Sequence, residues 1–238
     1  MATYKVEGHL HVKGNSWCGK TEPKEIIRLY KENGYDAIIV TNHFNTKLYN
    51  DYFKGTDEEK LEQFFASYNE LKENKEGIKV YFGVEFALGE DHYNLPLNKK
   101  CAELLVYGIT PEEFRQYGIK IIFMDYKELK ELSVNMGWLI FQAHPFRERT
   151  KRIPIDCIDG VETYNGNPRH INRNYLASNY RKNHKLLEVV GSDFHMQRDI
   201  SSAMLFDELP SDEKELVSVL KNHNFKILKG KKALKKKY

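Results

Sequence analysis

Residues 36–41 read Asp-Ala-Ile-Ile-Val-Thr, an apolar run followed two positions later by His43. A strand apolar on both faces needs cover on both faces, which indicates a parallel sheet under helices. The flanks agree. Residues 23–33 have helical spacing, with Thr21 expected as N-cap, Pro23 in the first turn and Gly34 closing the helix. Downstream, Thr56 or Asp57 opens a long charged helix to about Glu76, stopped by Gly77. The pattern then recurs. Strands are expected at 5–11, 79–86, 104–109, 138–143, 160–164, 187–191, 203–206 and 225–228, and further helices at 125–136, 169–183 and 211–222. About seven such units in 238 residues fit a closed α/β barrel better than a doubly wound open sheet. With no linker or repeat visible, 1–238 reads as one domain ending in a basic tail, 230–238.

Composition narrows the function. No apolar run approaches the roughly 20 residues of a membrane helix, and the N-terminus lacks a signal-peptide core. Three cysteines without a CxxC pair suggest reduced thiols and a cytoplasmic location. The formal charge of +3 comes from the tail: its five lysines removed, the rest carries about −2. A nucleic-acid partner is therefore not expected, and the tail reads as a solvated, frayed end.

The histidines and carboxylates sit where such a barrel concentrates its chemistry. His9 and His11 lie near the end of the first strand, two apart and so on one face. His43, Glu85, His144 and Glu162 fall at or just past later strand ends, Glu103 opens the fourth apolar run, and Asp193 and His195 follow Val-Val-Gly-Ser. Imidazole plus carboxylate without a cysteine cluster suits zinc, manganese or iron with open coordination positions. So many ligands exceed the need of one tetrahedral ion. Two or three ions are expected, with Glu85 suited to bridge.

In this order, His-Leu-His, Thr-Asn-His, Gly-Val-Glu, Ala-His-Pro and Gly-Ser-Asp-Phe-His resemble the PHP (polymerase and histidinol phosphatase) family of metal-dependent phosphoesterases, over Gly8 to His195. The resemblance implies a distorted (β/α)7 barrel with a trinuclear centre. By motif, it gives His9, His11, Glu85 and Asp193 to one ion, Glu85 and His144 to a second, and His43 and His195 to a third. Four positions depart from the pattern. Val12 replaces a Ser or Thr, Asn42 replaces an Asp, and the loop 13–18 lacks the common aspartate. Glu103 stands where a histidine is often found, with His92 a competing candidate nearby. Cys18 is a possible ligand of the third ion or simply a buried thiol.

Residues Gly14 to Thr21 also match the phosphate-binding pattern GxxxxGK[ST]. Pro23 argues against it, because a P-loop helix would already be donating hydrogen bonds there. Arg147, Arg149 and Arg198 lie near the expected mouth, and a guanidinium fork matches a phosphate oxygen pair. The expected activity is hydrolysis of a small phosphomonoester such as histidinol phosphate or a nucleotide, with water activated by the metal centre. Arg147 is the first choice for the phosphate, while Asp193 or a histidine such as His195 would handle the proton of the leaving group. A P-loop nucleotide-binding enzyme and a non-catalytic metal-binding barrel are the rivals. The sequence says nothing about oligomeric state.

Overall fold

The computed structural model describes residues 3–88 and 101–234. His92 and the end of the basic tail, 235–238, lie outside them. Seven strands run round the molecule in the order β1 (Tyr4–Leu10), β2 (Ala37–Val40), β4 (Lys79–Ala87), β5 (Glu103–Tyr107), β6 (Leu139–Gln142), β7 (Gly160–Asn165) and β8 (Leu187–Gly191). A short β3 (His43–Asn45) pairs with the end of β4, and β9 (Ser202–Phe206) and β10 (Phe225–Lys229) add to the free side of β1. The circle closes just past β8, where the His11 amide donates to the Phe194 carbonyl (2.9 Å) and the Phe194 amide to the His9 carbonyl (3.1 Å). The result is the expected distorted seven-stranded α/β barrel.

The sheet is mixed, which corrects the expectation of parallel strands throughout. β5 runs antiparallel to both β4 and β6, and β9 is antiparallel to β1 and β10. The reversal of β5 matters for the site. Its first residue, Glu103, lies opposite Ala87 at the end of β4, and Leu104 lies opposite Gln142 at the end of β6. An acid that opens its own strand is thereby delivered to the mouth formed by its neighbours' ends.

Helices α1 (Pro23–Glu32), α2 (Asp57–Glu73), α3 (Pro111–Ile121), α4 (Tyr126–Met136), α5 (Asn174–His184) and α6 (Glu213–Asn222) surround the sheet. Strand alternation divides the core in two. Val80, Phe82, Val84 and Phe86 of β4 pack outward with Phe64 and Phe65 of α2, while Tyr81 packs with Ile39, Leu105 and Phe141 on the other face, which α6 closes with Leu216 and Leu220. Glu85 shares the parity of Tyr81, so alternation turns it inward. On β1 the pairing with β2 shifts between Glu7 and Leu10. Val6 joins the inner cluster and Leu10 the outer one, so the shift is what brings His9 and His11 to the inner face.

Several helix ends differ from expectation for local reasons. Glu22, not Thr21, is the N-cap of α1, and the Thr21 hydroxyl donates instead to the His195 carbonyl (3.2 Å). Thr56 does cap α2, in a reciprocal box with Glu59. α3 was not foreseen, although Thr110 and Glu113 form the same box around Pro111. α5 begins at Asn174, five residues later than expected, which leaves 169–173 as a loop over the mouth.

Glu7 fastens the β1–β8 seam from below. One carboxylate oxygen accepts from the His9 amide (3.0 Å) and the Ser192 amide (2.8 Å), and the other from the Tyr30 hydroxyl (3.0 Å) and the Ser192 hydroxyl (2.6 Å). Gly8 allows this approach, since a Cβ there would lie 2.2 Å from the Val190 carbonyl oxygen. In Glu7→Gln the amide NH2 faces donors and leaves at least one buried group unpaired, at a cost of about 1–3 kcal/mol. The melting temperature should fall by about 2–12 °C for a domain of this size. An unchanged thermal transition would contradict this role.

Candidate metal centre

The inner-facing side chains converge into three buried groups whose ligand atoms lie within 4.8 Å of one another: His9, His11 and Asp193; His43, Glu85 and Glu103; and His11, His43 and His195. In the first, the Nε2 atoms of His9 and His11 are 3.0 Å apart, and Asp193 Oδ1 lies 3.6 and 3.3 Å from them. Glu85 joins the groups. Its Oε2 is 3.2 Å from Nε2 of both His9 and His11 and 3.0 Å from His43 Nδ1, and its Oε1 is 3.4 Å from His144 Nε2. Glu103 reaches His144 (3.3 Å) and His43 (3.7 Å) from the opposite side. The ring of His11 stacks on that of His43 at 4.1 Å and sits 4.4 Å from that of His195.

Neighbouring residues aim these ligands. His9 Nδ1 is 3.0 Å from Glu162 Oε1, which holds the ring so that Nε2 faces the cluster. The other oxygen of Glu162 accepts from the His144 amide and from Asn165 Nδ2, both at 2.9 Å. His195 Nδ1 lies 2.9 Å from the Asp193 carbonyl. His144 and Asp193 have positive φ angles of 27° and 51°, a backbone strain of about 1–3 kcal/mol each that their surroundings sustain. For Asp193, Asn167 Nδ2 donates to its carbonyl (2.9 Å) and the Arg147 guanidinium pairs with its carboxylate.

Electrostatics makes the site a cation trap. Burial alone would raise the Glu85 and Asp193 carboxyls, but His9 and His43 outweigh it at Glu85, and Arg147 and His9 at Asp193, so both are held well below the usual carboxylate range. Burial would lower His9, yet Glu85, Glu162 and Asp193 push it well above the usual imidazole range. His11 is lowered by burial and by His43 and His195, which keeps its lone pair available. Both oxygens of Glu85 are buried without a hydrogen-bond partner. A fully buried carboxylate ringed by four imidazoles fits a divalent cation of the zinc, manganese or iron type.

A cavity of about 150 Å³ opens onto this cluster. His43, Glu103, His144, Asp193 and His195 line it together with the guanidinium-bearing Arg147 and Arg169 and with His170, whose imidazole is pushed down to about 4 by burial and by Arg147.

A PHP-domain family model matches residues 7–229. The chain belongs to the PHP family. Solved PHP-like structures share the fold. A two-domain protein of Bacteroides vulgatus, containing a predicted PHP-like metal-dependent phosphoesterase, superposes with a TM-score of 0.62 at 16% identity over 96% of this chain. This chain spans 65% of that protein's length. A protein of Bifidobacterium adolescentis with a provisional metal-dependent phosphoesterase name gives 0.51 at 14% identity, covering 90% of this chain and 95% of that one. An amidohydrolase from Chromobacterium violaceum, with bound sulfate and no metal, gives 0.56 at 15% identity, covering 94% and 97%. No curated protein matches the sequence.

In this PHP domain every ligand candidate among the described residues reaches the cluster: His9, His11, His43, Glu85, Glu103, His144, Asp193 and His195. The arginines divide differently. Arg147 lines the cavity, but it donates to Asp193, Asn165 and Asn172. Arg149 and Arg198 are exposed and outside the cavity lining, which Arg169 joins instead. Arg169 and His170 were overlooked because the sequence placed them on a helix. The departure at Asn42 costs no ligand. Its side chain is buried, accepting from the Val12 amide (2.9 Å) and donating to Ser67 Oγ (3.3 Å). The GxxxxGK[ST] loop is a wall of the site and not a phosphate cradle: the Lys20 amide donates to the His195 carbonyl, the Lys13 amide to the Thr21 carbonyl, and Lys20 Nζ to the Trp17 carbonyl.

Proposed function

We propose that this PHP protein hydrolyses small phosphomonoesters, using two or three divalent transition-metal ions held by His9, His11, His43, Glu85, Glu103, His144, Asp193 and His195. The observation that carries the reading is the meeting of three adjoining ligand groups with Arg147 and Arg169 in the lining of one cavity of about 150 Å³. That volume is below the roughly 300–1,000 Å³ of sites that engulf a whole drug-sized ligand, and it suits a phosphoryl head with its leaving group outside. When bound, the ions supply Lewis-acid polarisation of the phosphoryl oxygens and a nucleophile at neutral pH.

The chain's own residues divide the remaining work. Arg169 presents its guanidinium to the phosphate while Asn167 and Asp199 brace it at 3.2 and 3.3 Å. Arg147 orients Asp193, which serves the centre together with His195. A substrate of this size, and no nucleic acid, is the expected partner. Among the described residues no helix is long and apolar enough to cross a membrane.

Arg169→Ala should leave bound metal unchanged and weaken use of the substrate, with a loss of about 2–4 kcal/mol if the contact tightens in the transition state. Arg147→Ala should perturb metal content as well, because Asp193 loses its partner. Elemental analysis beside steady-state kinetics checks both, and metal loss in Arg169→Ala would reverse the assignments. The activity itself is tested by phosphate release from histidinol phosphate, nucleoside monophosphates and sugar phosphates with manganese, zinc or iron. Turnover with at least one metal is expected. Full metal content with no release from any ester would favour a non-catalytic metal-binding barrel.

A further inference from the structure

The group formed by His11, His43 and His195 differs from the other two in containing no carboxylate. Imidazoles ligate as neutral groups, so these three bring no charge of their own to an ion, and the carboxylates beside them, Glu85 at 3.2 and 3.0 Å from His11 and His43 and Asp193 at 3.3 and 3.4 Å from His11 and His195, are shared with the neighbouring groups. His11 Nδ1 is itself buried without a hydrogen-bond partner. The segment from Val12 to Trp17, which passes over the group, contains no acidic residue, and Cys18 follows it.

Cys18 is built into this position. It lines the cavity with His43 and His195 and shares hydrogen bonds with both imidazoles. Its Sγ lies 2.9 Å from Ser16 Oγ. The loop is tied to one of the candidate ligands, since the Lys20 amide and Thr21 hydroxyl both donate to the His195 carbonyl, at 3.0 and 3.2 Å. Gly19 lets the loop fold tightly, because a Cβ there would stand 2.4 Å from the Val12 carbonyl oxygen. The other two cysteines, Cys101 and Cys157, are buried away from this cavity's lining.

We propose that Cys18 is a thiolate ligand of the ion held by His11, His43 and His195. The proposal rests on the reading of the cluster as a metal centre. It supplies an anion of the group's own, beside the shared Glu85 and Asp193 carboxylates, and makes this one position softer than its neighbours. Zinc and other thiophilic ions are therefore favoured here over manganese.

Cobalt(II) is the probe. Loaded into the full chain, it should give the near-ultraviolet charge-transfer absorption of a thiolate–cobalt bond, which imidazole and carboxylate ligands do not produce. Cys18→Ser should abolish that band and weaken one ion by on the order of 10–100-fold or more. Cys18→Asp should restore the ion's retention without the band. In the unmutated protein, zinc should protect Cys18 from alkylation by iodoacetamide, read by mass spectrometry, which keeps the test independent of how the variants fold. Visible cobalt absorption without the charge-transfer band, a band that survives Cys18→Ser, or equal alkylation with and without zinc would overturn the thiolate ligand and leave the metal centre standing. A protein that binds no cobalt would overturn both.

Discussion

Stripping the protein of metal with a chelator should lower its melting temperature by about 8–16 °C and abolish phosphate release. Ions that bind only the folded chain stabilise it by about 4 kcal/mol when present at about 1,000 times their dissociation constant. For a domain of this size each kcal/mol moves the midpoint by about 2–4 °C. The crowding of carboxylates is the reason to expect a weaker metal-free state. Glu85, Asp193 and Glu162 crowd around His9, and without a cation a proton on that imidazole helps to balance them. The sign follows. His9 has a raised folded-state value, so its protonation stabilises the metal-free protein fully below the unfolded value near 6.5 and less as pH rises through the folded value. Metal binding displaces that proton and strengthens over the same interval. The gap between the metal-loaded and metal-free melting temperatures should therefore widen from about pH 6.5 upward. Thermal scans across pH check this, and identical midpoints with and without metal would contradict it.

Glu85→Gln should release at least one ion per chain and lower turnover by on the order of 100-fold or more. Residues that merely orient a ligand already cost about 10–100-fold in metal affinity or activity when changed. Glu85 does more, because one carboxylate faces His9, His11 and His43 with Oε2 and His144 with Oε1. The amide removes the negative charge and turns one acceptor into a donor pointed at nitrogens that need their lone pairs. Glu162→Gln is the graded comparison, since Glu162 acts on His9 through Nδ1 and should fall in the 10–100-fold range. Elemental analysis and initial rates on the two variants separate the roles. A Glu85→Gln protein with full metal and full turnover would refute the bridging position.

Much of this site was legible because its signals are local. A period of two puts His9 with His11 and Asp193 with His195, and apolar runs mark the strand ends that carry them. What was hidden depends on pairing between distant segments. Glu103 looks misplaced until β5 is seen to run backwards between β4 and β6. The inward turn of His9 needs the register shift against β2, which no periodicity of β1 alone reveals. Arg169 and His170 were lost to a helix boundary, because a left-handed Arg173 with φ of 48° starts α5 without a side-chain cap. Arg147 was assigned to the phosphate on proximity in sequence, whereas its contacts with Asn165, Asn172 and Asp193 come from the end of β7 and from the loops after β7 and β8. Asn42 departs from the family's pattern, and its bond to the Val12 amide shows that the position serves the backbone.

The central claim is that three side-chain groups, linked by the contacts of Glu85 with His9, His11 and His43, hold a multinuclear centre. Its most direct test is elemental analysis of the protein expressed in metal-replete medium and purified without chelator. The account predicts two or three transition-metal ions per chain. Less than one ion per chain would contradict it.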